Sequence, residues 1–521
     1  AASDVYKRQV EVGTTNGVIT DLNGKFSLKV APNSQFLVSY IGYKQQTIKV
    51  GSESTYNIVL KEDAEVLDEV VVVGYGSQKK VNVTGAVGMV SAEALEARPV
   101  ANASQALQGV VPGLNLTVGN NGGALDGTLN MNIRGAGTIG DGSGSSPLVL
   151  IDGIEGDLNT VNPNDIESVS VLKDAASASI YGARASFGVI LVTTKSGKSG
   201  KTNVSYSGSA RFSDAIGIPD IMDSYTFAQY FNRASANKGG GDIFAPAVME
   251  RIKAYQEGTL KATTVDNGAG IWQKWANANG NTDWFEEFYD HWAPSQEHNL
   301  SINGGTDKTQ YLISGSFLDQ KGLMRHGSDK FQRYTLNGKI TTAVTDWFKV
   351  TYSTKWTRED FERPTYLTGS FFHNLARKWP VHPAYDPNGF PMDEGEVEQM
   401  ENGGKQNSQK DFYTNQLQLV FEPIKNWKIN LEGSVRTTTQ YQHWEVLPVY
   451  AYNVDGDPYY TVWDMGYGSY AAGSSRVNEY SWKENYYTTN IYSDYFKQFD
   501  NGHYFKGCLL YTSPSPRDST S

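Results

Sequence analysis

From residue 201 onward the sequence switches between two chemistries with a period of two. Across residues 347–357, Phe348, Val350, Tyr352, Thr354 and Trp356 fall on one side of an extended chain, and Lys349, Thr351, Ser353, Lys355 and Thr357 on the other. Residues 427–436 repeat the pattern, with Trp427, Ile429, Leu431, Gly433 and Val435 opposing Lys428, Asn430, Glu432, Ser434 and Arg436. In 331–340, Tyr334, Leu336 and Ile340 oppose Arg333, Asn337 and Lys339. Only a strand sorts residues this way, because successive side chains leave opposite faces. Clean alternation over about ten residues is also what a strand crossing a bilayer requires.

The connections narrow the choice. Short joins lie near Gly304-Gly305, at 343–346 and at 422–426, while residues 214–295, 360–410 and 441–483 are long connections. Long and short joins alternate, apart from a modest one at 319–327. Outer-membrane barrels are built so, with short periplasmic turns and long extracellular loops. A soluble sandwich also alternates faces, but loops of this length on one side only would be unusual for it. Composition agrees with the barrel. There are 53 glycines, 31 tyrosines, 21 phenylalanines and 11 tryptophans among 521 residues, and no run of eighteen apolar residues. A helix cannot span a membrane on that composition, but strands can. With 56 acidic against 45 basic residues the net charge is −11, which argues against a nucleic-acid surface.

Two other regions precede the barrel. Residues 10–61 read as a small all-β unit with strands over 25–30, 35–40, 46–50 and 56–60, alternating with turn signals such as Asp21-Leu-Asn-Gly24. This spacing suggests a partial sandwich without its first strand. Residues 81–195 read as mixed α/β. Helices are expected after Ser91 as N-cap, at 104–108 and over 174–181 up to Gly182, and strands at 147–152, 169–173 and 188–195. Residues 119–146 read as a long glycine-rich loop. Between the two regions stands Asp68-Glu-Val-Val-Val-Val-Gly-Tyr-Gly76. Valine runs favour extended backbone, so this is either an ordinary edge strand or a free strand offered to another protein for β-augmentation. The opening nine residues and the Ser/Pro-rich tail 508–521, which holds the lone Cys508, break the surrounding pattern and read as non-native ends.

Catalytic chemistry is hard to find. Gly135-Ala-Gly-Thr-Ile-Gly140 matches a dinucleotide fingerprint, but Asp-Gly-Ser-Gly-Ser-Ser-Pro follows where a helix would be needed. The seven histidines stand at no metal-ligand spacing, and one cysteine builds no thiolate site. Asp152 and Glu155 flank a turn at Gly153 and read as structural carboxylates rather than an acid/base pair. The expectation is a protein that is not an enzyme, with no cofactor and no metal.

Five blocks then resemble a known family. The block 171–195, VLKDAASASIYGARASFGVILVTTK, closely resembles the end of the plug domain in SusC/RagA-type TonB-dependent outer-membrane transporters of Bacteroidota. So do Leu107-Gln-Gly-Val-Val-Pro-Gly-Leu, Asn132-Ile-Arg-Gly-Ala-Gly, Pro147-Leu-Val-Leu-Ile-Asp-Gly and Asn162-Pro-Asn-Asp-Ile-Glu-Ser, in the right order. Residues 17–43 resemble the carboxypeptidase-regulatory-like domain that precedes many such plugs.

The resemblance implies a mainly β protein. It would hold an N-terminal carboxypeptidase-regulatory-like β-sandwich (10–61), a linker with the TonB box (62–80), a mixed α/β plug (81–200) and the N-terminal part of a 22-stranded transmembrane β-barrel (201–507), roughly nine strands of it. Arg134, Gly135, Asp152, Gly153, Lys173, Asp174, Tyr181 and Gly182 fall in its plug signature, and Asp68, Glu69, Val70, Val71, Val72, Val73, Gly74 and Tyr75 in its TonB box. The implied partners are TonB with ExbB and ExbD, a SusD-like lipoprotein, outer-membrane lipid and an oligosaccharide or peptide substrate. The implied place is the outer membrane, with the N-terminal domain and TonB box in the periplasm. Arg333, Lys339, Lys349, Lys355, Glu432 and Arg436 would line the path or dock the plug, and Trp379, Tyr385 and Trp444 would stack on sugars or anchor at the membrane interface. The alternatives are a receptor that signals, import of another cargo such as a siderophore, and a secreted adhesin or soluble sandwich.

Overall fold

The structure, a computed structural model, describes residues 8–11, 16–20, 25–31, 34–39, 46–51, 55–60, 70–73, 76–79, 87–96, 98, 100, 102–118, 125, 129–135, 146–174, 178–461, 463–464, 469–470, 472–499 and 504–514. The N-terminal strands β1 (Arg8–Glu11), β2 (Gly17–Ile19), β3 (Gln35–Ser39) and β4 (Gln46–Lys49) form an antiparallel sheet in the order β2-β1-β3-β4. Residues 25–30 and 55–60, expected as strands, are not paired into that sheet. They instead bring Phe26 and Tyr56 edge-on to the buried Phe36, with ring centroids 6.0 and 5.9 Å away. Ring packing and single hydrogen bonds hold them, Asn16 Nδ2 donating to Lys29 O and Gly51 N to Tyr56 OH, each at 2.7 Å. Next, β5 (Val70–Val73) pairs antiparallel with β6 (Gly76–Lys79).

The second domain contains β7 (Val87–Ser91), β8 (Leu114–Val118), β9 (Leu129–Ile133), β10 (Leu148–Ile151), β11 (Ile154–Glu155), β12 (Ile166–Leu172) and β13 (Val189–Thr194). Its sheet runs β11-β10-β13-β12-β7, with β10 and β13 parallel and the other pairs antiparallel. Apolar runs such as Leu148-Val-Leu-Ile and Val189-Ile-Leu-Val are buried on both faces, as central strands of a covered sheet must be. Val149, Ile151, Ile190 and Val192 join one cluster with Leu95, Leu107 and Leu158. Leu148, Leu150, Val189 and Leu191 join the opposite one with Ala178 and Ala185.

Two expectations here need correction. The stretch 119–146 is not simply loop, because β9 lies within it and pairs with β8. Of the helix expected over 174–181, residues 175–177 lie outside the described residues. Ala178 is helical and bonds back to Asp174 O, and Ser179–Ala185 continues as a 3-10 run that passes through Gly182 at φ 65°, ψ −151° rather than stopping there. Glycine alone takes that backbone step without strain.

The third unit is one antiparallel sheet of nine strands in sequence order: β14 (Gly200–Ser213), β15 (Ala293–Gly305), β16 (Thr309–Lys321), β17 (Lys330–Thr345), β18 (Phe348–Pro364), β19 (Lys405–Ile424), β20 (Trp427–Val446), β25 (Arg476–Gln498) and β26 (Tyr504–Pro514). Its faces are inside-out for a soluble sheet. Leu336, Ile340, Tyr352, Leu417, Val435 and Ile491 point outward and exposed, whereas Thr335, Ser353, Thr357, Ser434 and Asn490 are buried. Leu336 is 53% exposed while Arg333 is 1% exposed. A sheet arranged so cannot be stable with water on its apolar face, and a bilayer is the solvent that suits it. At the short-turn end Trp347, Phe348 and Phe421 stack in a band, in keeping with the aromatic girdle of such barrels.

The long connections carry structure of their own. They hold helices Ser224–Asn237, Pro246–Gln256, Trp284–Phe288, Gly369–Leu375 and Val397–Asn402, and the small strands β21 (Tyr450–Tyr452), β22 (Pro458–Tyr460), β23 (Trp463–Asp464) and β24 (Ser469–Tyr470). Two apolar clusters knit them together, one around Trp284, Phe288, Phe371 and Val446, the other around Phe244, Val248 and Ile252. Trp379, Tyr385 and Trp444 pack against these clusters and so do not stand at a membrane surface as anchors.

Candidate functional site: the contact between plug and barrel

Turn chemistry builds the centre of the contact. β10 and β11 join through Asp152-Gly153, with Ile151 opposite Ile154 and φ angles of 50° and 85° at the two turn residues. Both positions need a positive φ in a two-residue hairpin loop, which is why Asp-Gly occurs there. The turn presents Asp152 to two neighbours at once. One oxygen accepts from the Thr194 N–H at 2.9 Å, and the other from Thr194 Oγ1 at 2.6 Å and from Lys355 Nζ on β18. Burial would push the Asp152 carboxyl up, but the Lys355 and Lys339 ammonium groups and the hydrogen bonds outweigh it and hold the group well below the usual carboxylate range. A carboxylate so placed is a fixed anion, not a general acid or base.

The next residues extend the contact. Asp157 and Asn162 each cap a short 3-10 helix by accepting from the backbone N–H two residues on, and Pro163 opens the second helix. These caps leave carbonyls and amides facing outward. Arg333 on β17 donates to Asn159 O at 2.7 Å and to Asn102 Oδ1 at 3.0 Å. Thr357 Oγ1 donates to Thr160 O at 3.0 Å, Gln416 Nε2 to Asp152 O at 3.1 Å, and Arg436 to Glu155 O. Asn162 donates to Asn299 Oδ1 on β15, and Asn337 donates to Asp165 Oδ2. Arg211 on β14 donates to Val100 O at 3.2 Å while paired with Glu297 at 3.0 Å. Burial pushes the Asp165 carboxyl up, against bonds and charges that pull it down.

The contact is thus almost wholly polar, and most barrel strands share it. A cavity of about 440 Å³ lies beside it, lined among others by Ile154, Leu158, Lys355, Phe412, Arg436 and Trp482.

The residues singled out from sequence fall in several places. Arg333, Lys355 and Arg436 dock the second domain. Lys339 acts on Asp152 through its charge. Glu432 bonds within the barrel wall, to Gln418 and Tyr492, and Lys349 is exposed away from the contact. Asp152 and Gly153 form the central turn. Arg134 and Lys173 meet elsewhere, at the turn before β8: Arg134 N donates to Gly113 O at 2.7 Å and Lys173 Nζ to Pro112 O. Arg134 and Gly135 both take positive φ, 61° and 100°, to close that corner. The Asp174 carbonyl accepts from Ala178 N at 3.1 Å, and Tyr181, next to Gly182, packs against the cluster that includes Leu148 and Leu172.

Asn159, Thr160, Asn162 and Asp165 carry no individual functional signature in the sequence. Their signal is two successive cap motifs, Asp157-Leu-Asn and Asn162-Pro-Asn, placed just before a strand. Of the TonB-box residues, Val70 to Val73 lie in the β5–β6 pair, and Asp68, Glu69, Gly74 and Tyr75 lie outside the described residues.

Comparison with known proteins agrees with this architecture. Residues 79–189 match the TonB-dependent receptor plug domain, and residues 9–72 match the CarboxypepD_reg-like domain. The chain is 34% identical over 334 residues to the TonB-dependent receptor SusC of Bacteroides thetaiotaomicron, covering 62% of this chain and 29% of that protein. It is 32% identical over 375 residues to the TonB-dependent receptor P39 of Formosa agariphila, covering 71% and 32%. Its fold resembles that of the RagAB peptide importer in the open-open state, with a TM-score of 0.65 at 24% identity over 85% of this chain and 48% of that one. The chain spans about a third of the length of these curated relatives and about half of that solved chain.

Proposed function

We propose, on the premise that this chain belongs to the SusC/RagA family of TonB-dependent receptors, that the full-length protein imports a nutrient across the bacterial outer membrane on energy delivered through TonB. What carries the reading is the polar contact itself: a domain with an apolar core sits against the buried, polar face of a sheet whose other face suits lipid. In a closed barrel such a domain blocks the lumen while its contacts stay exchangeable with water.

In this reading residues 10–61 form the N-terminal domain, 62–80 the tether, 81–200 the plug and 201–507 part of the barrel. Asp68 to Tyr75 pair with TonB in the periplasm by strand addition. Force from the proton gradient, relayed by ExbB and ExbD, then draws on the plug. Because Asp152, Asn159, Thr160 and Asp165 hang on turns and caps, a pull can break their bonds to the barrel without unfolding β10, β12 and β13. The long connections face outward, where a SusD-like lipoprotein closes over them. Cargo is an oligosaccharide or a peptide, the latter being what the RagAB importer is described as carrying.

The test is removal of Asp68 to Val73 from the full-length protein, with uptake and outer-membrane level measured together. Lost uptake at normal membrane level is the expected result. Normal uptake would sink the import reading.

A further inference from the structure

A second cavity, of about 800 Å³, opens among the long connections, away from the plug contact. It is bounded by five aromatic and nine polar residues and no aliphatic one. That lining is unusual for a hydrophobic slot and equally unsuited to an apolar peptide side chain. Two of its cations are already matched: Lys274 Nζ lies 2.7 Å from both Asp393 and Glu394, and Lys378 lies 2.8 Å from Glu396. Arg377 is different. It is exposed at the cavity, and its side chain donates to Asn374 Oδ1 at 3.2 Å, with no carboxylate at ion-pair distance among the described residues. Gln399, 4% exposed, also lines the cavity with its side-chain amide.

The walls complete a recognisable set of partners. Tyr460, 52% exposed, and Trp275, backed by His382 stacked at 4.5 Å, both line the cavity. An aromatic face takes the C–H face of a sugar ring well, because its π surface carries the negative end of the quadrupole. Glu394 is half-exposed, and its carboxylate accepts from Lys274 Nζ at 2.7 Å and from Trp275 Nε1. Trp275, Glu394 and Glu396 hold positive φ angles of 52°, 62° and 70°, so three strained residues border this one cavity.

We propose that this cavity binds a carboxylate-bearing saccharide: ring face on Trp275 and Tyr460, ring oxygens and hydroxyls to Gln399 and Glu394, and carboxylate to the Arg377 guanidinium. A guanidinium meets a carboxylate through two parallel N–H donors, which a neutral ester cannot match. The proposal names the cargo class within the import reading and rests on that reading for its biological sense, but binding is measured without transport.

The probes are tetragalacturonate, its fully methyl-esterified form and tetra-alanine, titrated calorimetrically into the full-length protein in detergent. The acid should bind about tenfold or more tighter than the ester, as one charge-assisted pair would give. Arg377→Ala should erase that difference and Arg377→Lys retain part of it, while Gln399→Leu should weaken acid and ester alike. Because Arg377 is exposed, its replacement leaves the fold intact, which unchanged heat-modifiable migration would show. Equal binding of acid and ester, a difference that survives Arg377→Ala, or tetra-alanine binding as tightly as the acid would overturn the proposal. TonB-dependent uptake that persists in Arg377→Ala with acid binding lost leaves import standing and assigns the transported cargo elsewhere, which sinks this cargo class alone.

Discussion

The inside of the plug and its outside contact with the barrel are built from opposite materials. Inside, Val149, Ile151, Val169, Ile190 and Val192 are buried against one another on a five-stranded sheet. Outside, Asp152, Asn159, Thr160, Asn162 and Asp165 meet Lys355, Arg333, Thr357, Asn299 and Asn337 through hydrogen bonds and one ion pair. Each buried aliphatic side chain contributes about 1.5–3 kcal/mol, whereas a hydrogen bond nets about 0.5–1.5 kcal/mol because water competes for both partners. The two regions therefore answer differently to force and to mutation. Apolar packing has no partner to exchange with, while polar contacts can be handed to water one at a time.

The largest effect should come from the core. Ile190→Ala, at a fully buried position on β13, should cost about 2–5 kcal/mol. Limited proteolysis of the assembled protein should then cut within the plug while the barrel still migrates as a folded band. Next comes Lys355→Met, which strands the Asp152 carboxylate on a site where its side chain is 11% exposed. Removing one member of a buried pair costs about 3–5 kcal/mol, and the partial exposure of Lys355 places this one at or below the lower end. Asp152→Asn added to Lys355→Met should recover part of the loss, since the amide keeps the Asp-Gly turn and carries no charge. A double-mutant cycle on plug release measures that coupling.

The same pair gives a pH test with a definite sign. Asp152 is held below its ordinary value of about 3.9, so its contribution is present above that value and is lost only as pH falls through the lowered one. The Asp152 contribution to plug retention should therefore be flat from neutral pH to about 5. In Lys355→Met, burial is left to push Asp152 up, and retention should gain a pH dependence within that window relative to the parent protein. A smaller effect is expected from the caps: Asn162→Ala should cost about 0.5–2 kcal/mol through the lost cap and its bonds to Glu297 and Asn299. The smallest belongs to Arg184→Ala. Its 2.8 Å pair with Glu155 is over a third exposed on both sides, so the change should stay within about 1 kcal/mol.

The barrel was the most legible part of the sequence, because a period of two imposed by the bilayer leaves a mark on every residue, as in Trp347-Phe-Lys-Val-Thr-Tyr-Ser. The central plug strands were legible for the opposite reason: Leu148-Val-Leu-Ile is apolar throughout because both faces are covered. β9 was not, since Leu129-Asn-Met-Asn-Ile is short and set among glycines that signal loop. Nor were the helices of the long connections, although Asp223 before Ser224 is a cap signal that could have marked one. The contact itself was legible only as a class of residue. That Arg333, Lys355 and Arg436 face inward follows from alternation, but Asp152 and Lys355 stand 203 positions apart, and no local rule pairs them.

The central claim is that the plug lets go at its polar contact before its core. Hydrogen–deuterium exchange of the full-length protein, with and without the periplasmic domain of TonB under load, tests it directly. The account predicts faster exchange over residues 152–165 with β10, β12 and β13 still protected. Loss of protection in those three strands together with 152–165 would contradict it.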